Sequence, residues 1–469
     1  MHVSSEEAGQ QLYFLPLAAA WEEGAEDDVS VFMPHVLAKL RRRARMGLLF
    51  DALADERFCR RVVEALRKDT DVEIGEGKIR FSGTDVFDGF VGEERSSELT
   101  VRRAEVEQTN SSVILGERLI LKVYRRLQKG TNPDLELGRY LTEMVRFENT
   151  PPLLGAFEYK GSDGELTTLS LLQGFVENQG DGWSYILDYL GRYLEDSLLT
   201  SWSPDGEENE GEALATEDAF FAGLVRILGL RTGRLHAALA EPTDDEAFAP
   251  EPASLEEVAG WGEGILVECR RTLDLLRKRR NGLPEEVGPD ADRLLALRGE
   301  LTSRVRDVSI GGFEVVKTRH HGDYRLEQVL VVGNDFQIID FEGEQDRPLA
   351  ERRKKHSPLR DVASMLCSLN YAIRTALMDL GAERVERPEM LEQWVRLLEK
   401  RTRRAFLDGY AEGARGAASY PENEQHARAL IELFTIEKAL YELRHELDNR
   451  SDRAGIPLRG VLDVLGEWK

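Results

Sequence analysis

A predicted β-hairpin near the middle of the chain most constrains how it can fold. Two short apolar runs, Val329–Val332 and residues 336–339, flank the turn-forming sequence Gly333-Asn334-Asp335. One acidic residue, Asp323, precedes the first strand, and another, Asp340, follows the second. Phosphoryl transfer needs this layout, because one carboxylate orients the attacking hydroxyl and metal ligands lie beside it.

The spacing within this stretch matches two kinase motifs, the catalytic loop H-R-D-x-x-x-x-N and the D-F-G sequence that follows it. Asp323 and Gln328 have the Asp-to-Asn spacing, with Gln in place of Asn, and Asp340-Phe341 stands for Asp-Phe. The alternative interpretation is a surface hairpin with ordinary polar flanks. The register of both Gln328 and Asp340 argues against that alternative.

Composition limits the classes of partner. The chain of 469 residues is long enough for about two or three domains. Its net charge of −24 leaves no excess of Lys and Arg for nucleic acid or anionic membranes. The three cysteines are scattered, the start is polar and acidic, and no apolar run approaches the roughly 20 residues of a membrane span. We therefore expect a cytoplasmic protein without disulfides.

A single lysine, Lys122, lies in the apolar second strand of a hairpin predicted to turn at Gly116-Glu117. Kinases place the lysine that grips ATP phosphates on such a strand. The alternative is an ordinary exposed lysine. The polar sequence before the paired strand, which includes Ser111 and Ser112, offers hydroxyls and backbone N–H groups for phosphates.

A helix is predicted to begin at Asn132-Pro133-Asp134, with Glu136 in its first turn. Glu136 is a candidate partner for Lys122, or else only a carboxylate that favours the helix dipole. Further on, a strand at residues 166–172 runs into Gln173, Phe175 and Val176. A kinase-like chain crosses there from its small to its large lobe, with backbone groups facing adenine.

The first 98 residues predict a small mixed module. Residues 11–17 indicate a strand, whereas residues 48–53 and 56–67 indicate helices. After Asn178 the pattern becomes mostly helical. Asp361, early in a predicted helix, is expected to accept backbone N–H bonds and brace the catalytic loop.

A long helix predicted near the end, at residues 427–447, is dense in hydrogen-bonding groups. Glu437, Lys438, Tyr441 and Glu442 occupy successive turns on one broad face. Surface salt bridging and ligand binding are both consistent with this pattern.

The D-F-E-G-E-x-x-R-P-L block that begins at Asp340 and the E-K-A-L-Y-E-L sequence that begins at Glu437 resemble the bacterial maltokinase family. Similar stretches run through most of the chain. The resemblance implies an α+β, two-lobed protein kinase-like fold, with a β-rich N-lobe, an extra N-terminal cap module and a mostly helical C-lobe. The implied domains are a cap at residues 1–98, a nucleotide-binding lobe at 99–177 and a helical lobe at 178–469.

The resemblance also implies ATP-dependent phosphorylation of maltose at its anomeric hydroxyl, giving maltose 1-phosphate for α-glucan synthesis. Asp323 would be the catalytic base, and Gln328 with Asp340 would hold Mg²⁺. Lys122, paired with Glu136, would grip the ATP phosphates under Ser111 and Ser112. The sugar would contact Tyr371, Glu437, Lys438, Tyr441 and Glu442.

Two residues depart from the family pattern H-G-D-Y-H-L-G-Q, because Arg325 replaces the His and Glu327 replaces the Gly. Both lie in the catalytic loop, so we expect an altered substrate position or rate. The start is short relative to the family, which suggests a domain of a larger protein, since this kinase also occurs fused to trehalose synthase. The alternatives are a kinase of glucosamine or an aminoglycoside, and a catalytically weak pseudokinase partner of trehalose synthase.

Overall fold

Strands dominate the first part of the chain and helices the second. The computed structural model describes residues 2–5, 9–21, 29–92, 98–103, 110–199, 211–309, 314–380 and 388–466. Two units are formed: residues 1–177 with Arg347–Glu351, and Asn178–Asp346 with residues 352–469. Among the described helices, none is long and apolar enough to cross a bilayer.

The first unit is built mainly from antiparallel strands. Its strands are β1 (His2–Ser5), β2 (Gly9–Tyr13), β3 (Leu17–Trp21), β4 (Val36–Arg42), β5 (Arg45–Asp51), β6 (Asp71–Ile74), β7 (Gly77–Gly83), β8 (Val101–Arg103), β9 (Ser111–Leu115), β10 (Leu119–Val123), β11 (Arg126–Leu127), β12 (Leu153–Lys160) and β13 (Leu166–Gly174). Its helices are α1 (Glu56–Arg67), α2 (Phe87–Val91) and α3 (Pro133–Arg139).

A seven-stranded sheet organises this unit, in the order β6-β7-β12-β13-β10-β9-β8. The sheet takes strands from both sides of residue 98. Apolar residues of α1, among them Val63 and Leu66, share one buried cluster with Val113, Leu121 and Leu172 of the sheet. This packing supports β10, which carries Lys122 and lies in the interior of the sheet between β13 and β9.

The helix predicted at residues 48–53 is wrong, because most of this run belongs to strand β5. β5 is the middle strand of a three-stranded sheet, between β3 and β4. Phe50 is fully buried there and stacks on Phe32, with ring centroids 4.1 Å apart. A six-residue run, here apolar except for Asp51, is too short for its periodicity to separate strand from helix, so pairing with neighbouring strands decides the outcome.

The second unit is mostly helical. Its helices are α4 (Gly182–Leu199), α5 (Gly211–Ala238), α6 (Leu255–Arg279), α7 (Gly288–Ala296), α8 (Arg298–Ser309), α10 (Leu359–Leu380), α11 (Pro388–Gly413), α12 (Glu424–Asn449) and α13 (Gly455–Gly466), while α9 (Leu349–Arg352) lies where the chain passes between units. Its strands are β14 (Glu251–Pro252), β15 (Val316–Lys317), β16 (Val329–Val332) and β17 (Asp335–Ile338).

Helices α5 and α11 approach each other closely through glycines. A Cβ atom added at Gly229 would lie 2.0 Å from the carbonyl oxygen of Phe406, and one at Gly409 would lie 2.0 Å from that of Arg226. Larger residues at these two positions would therefore force the backbones apart. A separate apolar cluster joins α6, α7, α8, α12 and α13, including Leu273, Leu440 and Leu458.

Candidate active site

The predicted hairpin of the second unit is confirmed, since β16 pairs with β17 from Val329 opposite Ile338 to Val332 opposite Asp335. Gly333 in the turn has a φ of +61°, a conformation that glycine adopts at little cost. The Ile339 N–H donates to the carbonyl oxygen of Gln328 at 3.0 Å. This bond extends the pairing to the end of the hairpin that carries the candidate catalytic residues.

A buried carboxylate, Asp361, fixes the loop before the hairpin. Its two oxygens accept the backbone N–H groups of His321 at 2.7 Å and Gly322 at 3.0 Å. The expectation that Asp361 accepts backbone N–H bonds and braces this loop is therefore confirmed. Burial opposes the charge of Asp361, but His320 and the hydrogen bond with His236 outweigh it and hold the pKa of Asp361 below its usual range.

Helix α5 adds a further brace that sequence analysis missed. The His236 ring lies between Asp361, at 3.1 Å from Nε2, and the Tyr410 hydroxyl, at 3.0 Å from Nδ1. The buried Tyr324 hydroxyl lies 2.9 Å from the Thr232 hydroxyl on the same helix. Nothing in the local sequence around His236 indicates this role, which depends on helix packing.

Asp323 projects from the braced loop and is paired with Arg325. The Arg325 Nε lies 3.2 Å from Asp323 Oδ1, and its Nη1 lies 3.7 Å from a Glu327 carboxylate oxygen. Arg325 and Glu327, which depart from the sequence H-G-D-Y-H-L-G-Q, thus form a charged group with the candidate base. In this arrangement Arg325 neutralises the Asp323 carboxylate.

Two acidic residues beyond the hairpin fit a divalent cation. Carboxylate oxygens of Asp340 and Glu342 lie within 4.8 Å of each other. Asp340 has a φ of +66°, which costs a non-glycine residue about 1 kcal/mol or more and is typical of functional positions. Carboxylate oxygens are the ligands that Mg²⁺ prefers. Glu342 was missed as a candidate, although its place two residues after Asp340 in the D-F-E sequence could have indicated it.

The predicted sugar-binding residues of α12 belong to a charged cluster that includes Asp323. Lys438 Nζ lies 3.5 Å from a Glu344 carboxylate oxygen. Burial opposes the charge of Lys438, but Glu442, Glu344 and Asp323 outweigh it and raise its pKa. Burial also raises the pKa of Glu442 to about 7, although Lys438 and Arg325 act in the opposite direction. The charges of Asp323 and Arg325 thus act on Lys438 and Glu442, which links α12 electrostatically to the loop before the hairpin.

The other predicted sugar-binding residues contact neighbouring side chains. The Tyr371 hydroxyl donates to a Glu446 carboxylate oxygen at 3.1 Å, and burial with this carboxylate raises the pKa of Tyr371 to about 12. Glu437 forms an ion pair with Arg360. The Tyr441 ring lies 5.3 Å from Lys438 Nζ.

In the first unit, Lys122 forms an ion pair with Asp134. Its Nζ lies 2.9 Å from Asp134 Oδ2, which also accepts the Tyr124 hydroxyl at 2.9 Å. Asp134 is 1% exposed, and its backbone N–H donates to the cap residue Asn132 at 2.9 Å. Sequence analysis considered Glu136 as the partner and missed Asp134. Asp134 lies two residues before Glu136, also in the first turn of α3.

The remaining candidate nucleotide residues lie in the same sheet or directly after its strand β13. Ser112 is opposite Lys122 in the β9–β10 pairing, and the Ser111 hydroxyl accepts a hydrogen bond from Arg125 Nε at 2.8 Å. The Phe175 N–H donates to the carbonyl oxygen of Arg118 at 2.6 Å. Gln173, in β13, lies opposite Ile120, and Val176 follows two residues beyond the end of β13.

Comparisons with known proteins point to one group of sugar kinases. No protein-family model matches the chain. Two curated relatives are glucosamine kinases: that of Streptacidiphilus jiangxiensis is 25% identical over 308 residues, covering 65% of this chain and 60% of the relative. That of Mycolicibacterium smegmatis is 27% identical over 278 residues, covering 58% of each. The matches thus span less than two thirds of the relatives' length.

A solved structure of a glucosamine kinase in complex with glucosamine, ADP and inorganic phosphate is similar to the whole chain. The TM-score is 0.66 at 20% identity, with 99% of this chain and 90% of that chain covered. A second structure, glucosamine kinase in crystal form A, gives a TM-score of 0.65 at 19% identity, covering 92% and 86%. This likeness confirms the predicted α+β, protein kinase-like fold class.

Proposed function

We propose that the chain is an ATP-dependent sugar kinase whose first candidate acceptor is glucosamine. The observation that carries the proposal is the Asp361-braced loop, which presents Asp323 at the same end of a hairpin as the Asp340–Glu342 pair. The relatives that bear the name glucosamine kinase support the choice of acceptor.

In the proposed reaction, Asp323 orients a sugar hydroxyl and accepts its proton as the hydroxyl oxygen attacks the γ-phosphorus of ATP. The bond between that phosphorus and the β,γ-bridging oxygen breaks, so ADP leaves. Arg325 is paired with Asp323, so the hydroxyl would bind at a lone pair of this carboxylate that Arg325 leaves open. The loop braces then hold Asp323 in a fixed orientation, which lowers the entropic cost of reaction.

The phosphates are assigned to two groups of residues. Asp340, with Glu342 and Gln328, would hold Mg²⁺, which when bound offsets charge on the phosphates. Lys122 would contact the phosphates as a point charge, oriented by Asp134 and Tyr124. Ser111, Ser112, Gln173, Phe175 and Val176 remain candidate nucleotide contacts, as does Glu136.

The sugar is assigned to the cluster of Lys438, Glu442, Tyr441, Glu437 and Tyr371. Carboxylates here favour an acceptor with an ammonium group, because a cation next to Glu442 stabilises its charged form. This favours glucosamine over a neutral sugar. Maltose is the second candidate, favoured by the D-F-E-G-E block and the E-K-A-L-Y-E-L sequence of α12.

An ADP-release screen with Mg-ATP tests these assignments. Glucosamine, glucose, maltose and an aminoglycoside would be compared at equal concentration, with ATP alone as the background. We expect the highest kcat/KM for glucosamine. A higher kcat/KM for maltose would make maltose the assigned acceptor instead. If none of the acceptors increased ADP release above the background, the kinase proposal would be contradicted and a pseudokinase favoured.

A further inference from the structure

Two strands of the first unit, β4 and β6, each have an outer side that pairs with no other described strand. β4 lies at one edge of the sheet β3-β5-β4, and β6 lies at one edge of the seven-stranded sheet. No isolated bridge to either strand forms among the described residues. The N–H and C=O groups along such an edge can pair with a strand from another chain.

The β4 edge is basic. Lys39 and Arg41 alternate there with the apolar residues Ala38 and Leu40, and residues 29–50 include no acidic residue. Lys39 and Arg41 are exposed, and within the described part of the chain neither forms an ion pair. We call these two residues the basic edge. It is a local exception on a chain whose net charge is −24.

The β6 edge has the same alternation with the opposite charge. Its acidic residues, Asp71 and Glu73, alternate with apolar residues, and all four positions are exposed. Val72 is 43% exposed and Ile74 is 49% exposed. Asp71 pairs with Lys78 of the same hairpin, but both side chains are solvent-exposed, so this pair contributes little. We call Asp71 and Glu73 the acidic edge.

The two edges are complementary in one antiparallel register. In that register each basic residue lies opposite an acidic residue and each apolar residue lies opposite an apolar residue: Lys39–Glu73, Arg41–Asp71, Leu40–Val72 and Ala38–Ile74. Cross-strand pairs of both kinds stabilise a sheet. A shift of one residue would place the charged side chains opposite apolar ones, so the sequence pattern selects this register.

The backbone groups of the two edges match in the same register. The Phe81 N–H donates to the carbonyl oxygen of Thr70 at 2.9 Å, so Thr70 faces β7. Because antiparallel strands alternate the direction of their backbone groups, the N–H and C=O groups of the acidic edge point outward. A two-residue turn joins Arg42 to Arg45, which makes Arg42 face β5. The same alternation directs the backbone groups of the basic edge outward.

We infer that the chain self-associates by antiparallel pairing of the basic edge of one copy with the acidic edge of a second copy. A second copy is the partner that supplies both the opposite charges and the apolar residues in register. Each copy carries one edge of each kind, so this heterologous contact builds closed rings or open chains. The contact is short, and we expect weak, concentration-dependent association. It uses no residue of the proposed active site and is independent of the proposed function.

Sedimentation velocity of the full chain between about 1 µM and about 500 µM tests this inference. We expect the weight-average sedimentation coefficient to rise with concentration. Lys39→Glu and Glu73→Lys each place like charges opposite one another, so each should weaken association about tenfold or more. Lys129→Glu is the matched control, because it makes the same charge change at a side chain of the same unit that is 65% exposed. It should leave association unchanged.

Combining the two variants separates the proposed pairing from a general effect of charge. The double variant Lys39→Glu/Glu73→Lys has the net charge of the unmodified chain and restores opposite charges at this pair. It should associate within about threefold of the unmodified chain. An equimolar mixture of the two single variants should also associate, because each copy then meets opposite charge on the other.

A sedimentation coefficient of the unmodified chain that stays constant across this concentration range would overturn the inference. Full association of either single variant would do the same. So would an equal loss in Lys129→Glu, or a double variant that associates no better than the single variants.

Discussion

The side chain of Glu442, a proposed sugar contact, lowers the stability of the folded chain when it is charged. Burial, opposed by Lys438 and Arg325, raises its pKa to about 7 from the ordinary carboxyl value of 4.5. A carboxyl group with a raised pKa binds more protons in the folded state. Its contribution to stability is therefore fully present below the pKa of the unfolded chain and is lost as pH rises through about 7.

Glu442→Gln should accordingly stabilise the chain more at pH 8 than at pH 4.5, by about 2 kcal/mol. Urea unfolding at the two pH values measures the difference between variant and unmodified chain. Glu424→Gln, at an exposed position of the same helix, is the control and should show no such pH dependence. Equal effects of Glu442→Gln at both pH values would contradict the burial argument.

The ion pair of Lys122 leads to a second prediction at this scale. Asp134 is almost fully buried, whereas Glu136 is only partly buried, so loss of the Asp134 charge leaves a lysine less well oriented in a poorly solvated position. Asp134→Asn should lower kcat/KM for ATP by about 10- to 100-fold, or about 1.4 to 2.7 kcal/mol. Glu136→Gln is the comparison and should change it less than about threefold. Steady-state kinetics with varied ATP measures both values. A larger loss of kcat/KM in Glu136→Gln than in Asp134→Asn would make Glu136 the functional partner of Lys122.

At the scale of elements, the glycine contact between α5 and α11 positions the helix that carries His236. Gly229→Ala should destabilise the chain by about 2 kcal/mol or more, because the added Cβ overlaps the backbone of α11. Gly223→Ala is the matched control on the same helix, with no heavy atom within 4 Å of its added Cβ. It should stabilise by up to about 1 kcal/mol through helix propensity. Thermal unfolding of both variants measures this, and destabilisation by both would contradict the close approach.

Elements with a strong local pattern were predictable from the sequence. The β16–β17 hairpin has apolar strands around Gly333-Asn334-Asp335, and both strands and the turn form as expected. Strand β5 was not predictable, because residues 48–53, which are apolar except for Asp51, carry no clear periodicity. The strand forms by pairing with β3 and β4.

The residues of the candidate site likewise fall into those that local sequence predicts and those that only tertiary contacts reveal. The roles proposed for Asp323, Gln328 and Asp340 follow from spacing along the chain, which the sequence displays directly. His236 and Asp134 act through contacts that tertiary packing creates, so no local spacing identifies them. The Arg325–Asp323 pair is intermediate, since the sequence singles out Arg325 but does not show which group it contacts.

At the scale of the whole molecule, the fold is that of the solved glucosamine kinase while the catalytic assignment remains a proposal. The β-rich unit holds Lys122, and the helical unit holds Asp323. If magnesium is held by Asp340 and Glu342, removing either carboxylate should raise KM for Mg-ATP. Asp340→Asn and Glu342→Gln are each expected to raise it about tenfold or more, because a charged ligand contributes at least about 1.4 kcal/mol. Titration of both variants with Mg²⁺ at fixed ATP measures this, and unchanged KM values would contradict the metal assignment.

Transfer of radiolabel from γ-labelled ATP to glucosamine by the unmodified chain and by Asp323→Asn is the most direct test. The unmodified chain should form a labelled sugar phosphate, and Asp323→Asn should form it at least about a thousandfold more slowly while binding ATP with nearly unchanged affinity. Label transfer by Asp323→Asn at a rate near that of the unmodified chain would contradict the central assignment of Asp323.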